Sequence, residues 1–227
     1  MTINGQDERV SWWRRLTTLP IFHGPLRGRR WLIATRSSFF RGTYEVGQTR
    51  AFAASVKACD VVYDVGAHYG YYTLLASDLV GPLGKVLAFE PSPANLSYLR
   101  THVAINECRN VSIMETAISN YEGKARFENR TGSGRGHLSA AGLVEVPVTS
   151  LDAVVRSAPP PSIMKIDVEG AEMEVLSGAR RLLASHQPVI FLSTHSAELH
   201  TACQEFLRGF GYAFEPLDKD DFVARVK

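Results

Sequence analysis

From Val61 onward two kinds of segment alternate, and this alternation restricts the fold more than any other feature of the chain. Five apolar runs rich in valine and isoleucine read as buried strands: "VVYDVGA", "KVLAFEP", "VSIMETAIS", "SIMKIDVEG" and "PVIFLSTH". Residues 69–79, 93–106, 171–184 and about 197–209 have helical periodicity. Parallel strands need long crossovers, and helices supply them, so the pattern predicts a parallel sheet with helices on both faces. Near the C-terminus "YAFEPL" and "DFVARV" flank a polar turn, "DKDD", and predict an antiparallel hairpin closing one sheet edge.

A chain of 227 residues, 45% of them hydrophobic, can bury one sizeable core. The expected division is a main domain over residues 58–227 and a partly helical lead-in or cap over 1–57. Within the lead-in, "RGTYEVGQTRAFAASV" turns at Gly42 and then becomes helical. Trp12, Trp13 and nearby arginines suggest a short surface helix that docks on its own domain, with peripheral membrane contact as the alternative. Between residues 120 and 150 a β-hairpin and loop are inserted: "EGKARFEN" and "LVEVPVTS" flank the glycine- and serine-rich "RTGSGRGHLSAAG", a lid or a surface turn. Arg130 and Arg135 in this loop can meet an anionic acceptor.

Several classes are disfavoured. A net charge of +2 lacks the basic bias of a nucleic-acid binder. The three cysteines, Cys59, Cys108 and Cys203, have neither zinc spacing nor an even count, and fit reduced, packed thiols in a cytoplasmic protein. No apolar run has the length of a membrane span, and the N-terminus lacks a signal-peptide core, so no stable membrane anchor is expected.

Ligands of open parallel sheets bind beyond the carboxyl ends of the strands. The residues expected there are Asp64, Gly66, Ala67, His68 and Gly70 after the first strand, with Thr73 in the following helix; Glu90, Pro91, Ser92 and Asn95 after the second; Ala117, Ile118 and Ser119 after the third; Asp167 and Glu169 after the fourth; and Ser193, Thr194 and His195 after the fifth. The first loop is Asp64-x-Gly66-x-x-x-Gly70, not the G-x-G-x-x-G that cradles a pyrophosphate. Its carboxylate opposes a phosphate ligand. Glu90 stands where an acid contacts ribose hydroxyls. Two acids suit an adenosine compound with positive charge and no phosphate. S-adenosylmethionine fits, with its carboxylate at the helix start after Gly70. Asp167, Glu169 and His195 are the candidate catalytic groups, able to orient a hydroxyl or take its proton; Asp167 and Glu169 can alternatively hold a divalent cation such as magnesium. Glu172, in the first turn of the next helix, is read as complementing the helix dipole.

These motifs resemble the FkbM-type methyltransferases across roughly residues 42–195: "GTYE", "VVYDVGAHYGYYTLLAS", "GKVLAFEPSPANLSYL", "AISNYEG", "VPVTSLD", "KIDVEGAEMEVLSGA" and "PVIFLSTH". The resemblance implies a Rossmann-like class I methyltransferase with a mostly parallel seven-stranded sheet, methylating a hydroxyl of a sugar, glycolipid or secondary metabolite. It implies that Asp64, Gly66, Ala67 and Gly70 hold the methionine end of the cofactor, Glu90 the ribose, and Ala117 and Ser119 the adenine. Tyr44 and Glu45 become lid contacts, and Asp167 lies near the reacting methyl. Many members carry a glutamate before the strand-five histidine, where this chain has Ser193-Thr194-His195; that shifts the catalytic role toward Asp167 and His195. The other classes considered are a nicotinamide-nucleotide oxidoreductase and a non-catalytic S-adenosylmethionine-binding module.

Overall fold

The computed structural model describes residues 17–35, 37–129, 136–138, 142–218 and 220–226. The tryptophan segment near residue 12, Arg130 and Arg135 lie outside the described residues. The lead-in forms an antiparallel pair, β1 (Thr18–Pro20) and β2 (Arg30–Leu32), then α1 (Ser37–Arg41) and α2 (Val46–Ser55). The main run is β3 (Val61–Val65), α3 (Tyr71–Val80), β4 (Lys85–Phe89), α4 (Pro93–Ile105) and β5 (Val111–Met114). A small sheet follows, made of β6 (Ala117–Ile118), β7 (Gly123–Asn129), β8 (Gly136–Leu138) and β9 (Val144–Thr149). The chain then returns through α5 (Leu151–Val154), β10 (Ile163–Ile166), α6 (Glu172–Ser177), α7 (Arg180–His186), β11 (Val189–Ser193) and α8 (Ala197–Arg208), and ends in β12 (Tyr212–Asp218) and β13 (Asp221–Val226).

The main sheet has seven strands in the order β12-β13-β11-β10-β3-β4-β5. Its pairs from β11 to β5 are parallel, and the β12–β13 hairpin joins β11 antiparallel, as the sequence predicts. The chain leaves β3 outward to β4 and β5, then comes back to β10 on the other side of β3. That reversal opens a crevice beyond the carboxyl ends of β3 and β10. No helix among the described residues is long and apolar enough to cross a membrane.

Strand side chains alternate faces. Tyr63, Leu87, Met164 and Ile190 pack with Leu176, Leu183 and Leu207 from α6, α7 and α8. Val62, Val86, Ile163 and Phe191 pack with α3 and with Ile21, Trp31, Phe39 and Phe52 of the lead-in. The same alternation carries Asp64, Lys165 and Ser193 onto the lead-in's face at the strand ends, with Lys165 in register beside Asp64.

Two elements differ from the sequence reading. "VSIMETAIS" is not one strand. After β5 the Thr116 amide bonds to the Met114 carbonyl (2.9 Å) and its hydroxyl to the Pro147 carbonyl (3.0 Å). Ala117 and Ile118 then pair with Val148 and Thr149 in the small sheet. The helix expected over 171–184 is broken at Gly178, where a Cβ would lie 2.1 Å from the Ser119 carbonyl oxygen. The Asp152 carboxylate accepts the Arg181 and Leu182 amides (3.0 and 2.9 Å) and so starts α7 separately. Of the cysteines, Cys108 and Cys203 are buried as expected, whereas Cys59 is exposed.

His102 joins the lead-in to α4. Its ring stacks on Trp31 with centroids 3.7 Å apart. Nε2 accepts the Leu32 amide at 3.1 Å, so Nδ1 carries the proton and donates to the Tyr69 carbonyl at 2.7 Å. Burial lowers its pKa from 6.5 to about 4. A histidine held neutral contributes stability that is complete above pH 6.5 and lost as pH falls toward 4, up to about 3 kcal/mol. Denaturant unfolding of wild type and His102→Gln between pH 4 and 7 checks this: the amide reproduces both hydrogen bonds without titrating, so the variant's acid limb should be shallower.

Candidate functional site

The loop after β3 is built from three residues of positive φ: Gly66 (86°), His68 (51°) and Gly70 (92°). Gly66 has a second constraint. A Cβ there would lie 1.9 Å from the Asp167 carbonyl oxygen, so only glycine lets the ends of β3 and β10 come this close. At Gly70 a Cβ would meet Leu99 Cδ1 at 2.6 Å. The Gly66 and Ala67 amides both reach the Phe89 carbonyl (3.0 Å), which ties the loop to the end of β4.

Beyond this loop lies a cavity of about 400 Å³, within the range of small-molecule sites. Among the described residues, it brings together all those expected to bind cofactor or acceptor except Gly70, Thr73, Ser92 and Ser119. Those four stand behind the wall. Gly70 precedes α3, Ser92 caps α4, Ser119 is buried against Thr149, and Thr73 donates to Asp64 Oδ2 at 2.5 Å. Tyr44 and Glu45 of the lead-in form part of the wall, as do Ala117 and Ile118 of the small sheet.

Both predicted acids are buried. Burial raises Asp64 to about 6 against the opposing effects of Thr73 and Lys165. Burial likewise raises Glu90 to about 7, although it accepts the Ser92 and His68 amides at 2.8 Å each and the Asn95 side chain at 3.3 Å.

Lys165 was not singled out by the sequence reading, although a lysine inside "SIMKIDV" is the visible signal. It is 1% exposed. Its ammonium donates to Ser193 Oγ (2.8 Å), lies 3.4 Å from Asp167 Oδ2, and faces the Tyr72 ring at 5.1 Å. Burial opposes its charge, but Asp167, Glu45, Asp221 and Asp64 together hold its pKa above the ordinary value. Gln48 and Tyr72 complete the network: Gln48 donates to Ser193 Oγ (3.2 Å), and Tyr72 Oη lies 2.7 Å from Gln48 Oε1 and 3.0 Å from Glu45 Oε2.

Just past the end of β11, His195 Nδ1 lies 2.8 Å from Glu172 Oε1. Glu172 stands in the first turn of α6, as its helix-dipole reading expects, and its buried side chain also turns to this imidazole. His195 Nε2 lies 3.5 Å from Asp167 Oδ1 and 3.3 Å from Glu169 Oε2. The Glu172 hydrogen bond raises the His195 pKa, with burial opposing and Asp167 adding to the rise. Burial pushes Asp167 up, but Lys165 and His195 outweigh it and hold the carboxyl below its usual range.

The Rossmann-like sheet with an acid-lined crevice at its topological switch point is an architecture found among methyltransferases. Solved structures share this fold. Precorrin-6y C5,15-methyltransferase from Geobacter metallireducens matches with TM-score 0.54 and 20% identity, covering 84% of this chain and 91% of that one. Methyltransferase FkbM from Methylobacillus flagellatus matches with TM-score 0.55 and 15% identity, covering 84% and 55%. Aeropyrum pernix fibrillarin, solved with natively bound S-adenosyl-L-methionine, matches with TM-score 0.50 and 18% identity, covering 77% and 72%. The methyltransferase FkbM domain matches residues 64–214, and the chain belongs to that family. Hexuronic acid methyltransferase AglP of Haloferax volcanii is 32% identical over 135 residues, which are 58% of this chain and 54% of the relative. The chain thus spans about half the length of this curated relative.

Lys165→Met tests the charge balance. Removing one partner of a buried ionic network costs about 3–5 kcal/mol. Denaturant unfolding at pH 7 should show that loss. It should shrink toward pH 5, where the abandoned carboxylates take up protons.

Proposed function

We propose that the protein transfers a methyl group from S-adenosylmethionine to a hydroxyl oxygen of a sugar, glycolipid or secondary metabolite, with a sugar favoured by its similarity to a hexuronic acid methyltransferase. The observation that carries this reading is one cavity lined both by Asp64, Glu90 and the Gly66 turn and by Asp167, Glu169 and His195. In the proposed arrangement Glu90 accepts the ribose hydroxyls, Asp64 faces the methionine ammonium, and Ala117 and Ile118 flank the adenine. His68 borders the methionine end.

Transfer is an in-line displacement. The bond from methyl carbon to sulfonium sulfur breaks as the bond to the acceptor oxygen forms. Sulfur leaves as a neutral thioether, and the hydroxyl proton passes to Asp167 or His195. Because the donor is already activated, the protein chiefly supplies alignment, which can contribute about 7–11 kcal/mol. Proton removal by a positioned base adds about 10²–10⁴-fold. The segment before residue 58 acts as a cap in this reading, since Phe39, Tyr44 and Glu45 close one side of the cavity. The protein's three cysteines, Cys59, Cys108 and Cys203, suit a reducing, cytoplasmic compartment.

Isothermal titration with S-adenosylhomocysteine tests the cofactor half. Glu90→Gln should weaken binding about ten- to hundredfold, because hydrogen bonds to a charged acceptor are lost. Glu90 titrates at about 7 in the free protein and accepts ribose hydroxyls best as the carboxylate. Wild-type affinity should therefore rise from pH 6 to pH 8, and the Gln variant should flatten that dependence. Equal affinities of variant and wild type would take Glu90 out of the site. For the chemical half, Asp167→Asn should lower kcat far more than cofactor affinity in a single-turnover assay. Equal losses in both would make Asp167 a binding residue.

A further inference from the structure

Three carboxylates converge on one imidazole at the acceptor end of the cavity. Glu172 Oε1 holds His195 Nδ1, while Asp167 and Glu169 lie 3.5 and 3.3 Å from Nε2. Glu172 Oε2 is buried without a hydrogen-bond partner among the described residues. Even a charged imidazole supplies one positive charge against three negative ones. Lys165, 3.4 Å from Asp167, is already shared among Asp167, Glu45, Asp221 and Asp64. A cation joining the part-buried carboxylates would offset their mutual repulsion.

The geometry suits such a cation. One donor atom each from Asp167, Glu169 and His195 lie within 4.8 Å of one another. Oxygen and nitrogen ligands bind small divalent ions at about 2.0–2.2 Å, so atoms about 3 Å or more apart can share one ion. Glu172 supplies what carboxylate–histidine–metal arrangements need: it bonds Nδ1 and thereby turns Nε2 toward the other two donors. That contact comes from outside the donor set, and Glu172 also accepts the Gly170 amide at 3.0 Å, so the histidine's orientation is built into the fold.

We propose that Asp167, Glu169 and His195 hold one divalent cation. Its open positions take two neighbouring oxygens of the acceptor: the hydroxyl to be methylated and an adjacent hydroxyl or carboxylate. Two carboxylate oxygens and one imidazole favour a hard ion of the magnesium or manganese kind. The ion lowers the pKa of the bound hydroxyl and orients it, so that the proton is released to solvent in place of direct transfer to Asp167 or His195, whose donor atoms hold the ion. It also makes an acid-lined cavity acceptable to an anionic sugar, which Asp167 and Glu169 alone would repel. The acceptor part rests on the methyl-transfer reading above, whereas the ion site stands on its own geometry.

The test uses the full chain and Mn²⁺ alone, with free ion counted by electron paramagnetic resonance and no cofactor or acceptor present. The expected result is one Mn²⁺ per chain, with binding weakened at least tenfold in Glu169→Gln and in His195→Gln. S-adenosylhomocysteine affinity, measured in parallel, should change less than twofold in both variants, which shows that the cavity remains folded. Two variants keep the result readable if one fails to fold. Absence of stoichiometric Mn²⁺ binding to wild type at millimolar ion overturns the proposal, as does equal binding by wild type and both variants. Loss of S-adenosylhomocysteine binding with the Mn²⁺ site intact would instead contradict the methyl-transfer reading and leave the ion site standing.

Discussion

The contact between the Gly66 backbone and the Asp167 carbonyl is the constraint on which the site depends. With a Cβ at residue 66 the atoms would lie 1.9 Å apart, so the two central strands close to this distance only because the position is glycine. The contact sets how the loop after β3 meets the end of β10. It places Asp64 in register beside Lys165. It also joins the turn that begins at Gly66 to the Asp167–His195 cluster in the lining of one cavity. The chain order β3, β4, β5 and then β10 creates the crevice, and the glycine lets the ends of β3 and β10 meet at its base.

The site is electrostatically incomplete without its ligands. Asp64 and Glu90 are buried so deeply that both titrate near neutrality, at about 6 and about 7. Carboxylates raised in this way cost stability above those values, since the folded state resists losing the proton. Groups that donate hydrogen bonds or bring positive charge relieve that cost. This ties affinity to preorganisation: the backbone amides of His68 and Ser92 already hold Glu90 in place before any ligand arrives. Lys165 does the corresponding work among Asp64, Asp167 and Glu45, and Tyr72, Gln48 and Ser193 tie the lead-in to that network. The lead-in is therefore part of the site and not merely a cover over it.

Much of this was legible in the sequence because it depends on local pattern. Strand alternation gave the sheet, "DVGAHYG" gave the turn, and the distance from Gly70 to Glu90 gave the second acid. Contacts between distant segments were not legible. Nothing local to Glu172 distinguishes a carboxylate at a helix start from one turned inward to His195, twenty-three residues away in sequence. Lys165 stood in plain view inside an apolar run, but apart from Asp167 its partners come from distant segments: Glu45 before α2, Asp64 of β3, Tyr72 of α3, Ser193 of β11 and Asp221 of β13. The breaks at Thr116 and Gly178 share this character. Both occur where the chain meets the small inserted sheet, whose position periodicity does not reveal.

A crystal structure of the protein with S-adenosylhomocysteine tests the central claim most directly. The account predicts the ribose hydroxyls on the Glu90 carboxylate, the adenine against Ala117 and Ile118, and the sulfur facing Asp167 and His195 across the cavity. A ligand bound elsewhere, or one whose ribose faces away from Glu90, would contradict it.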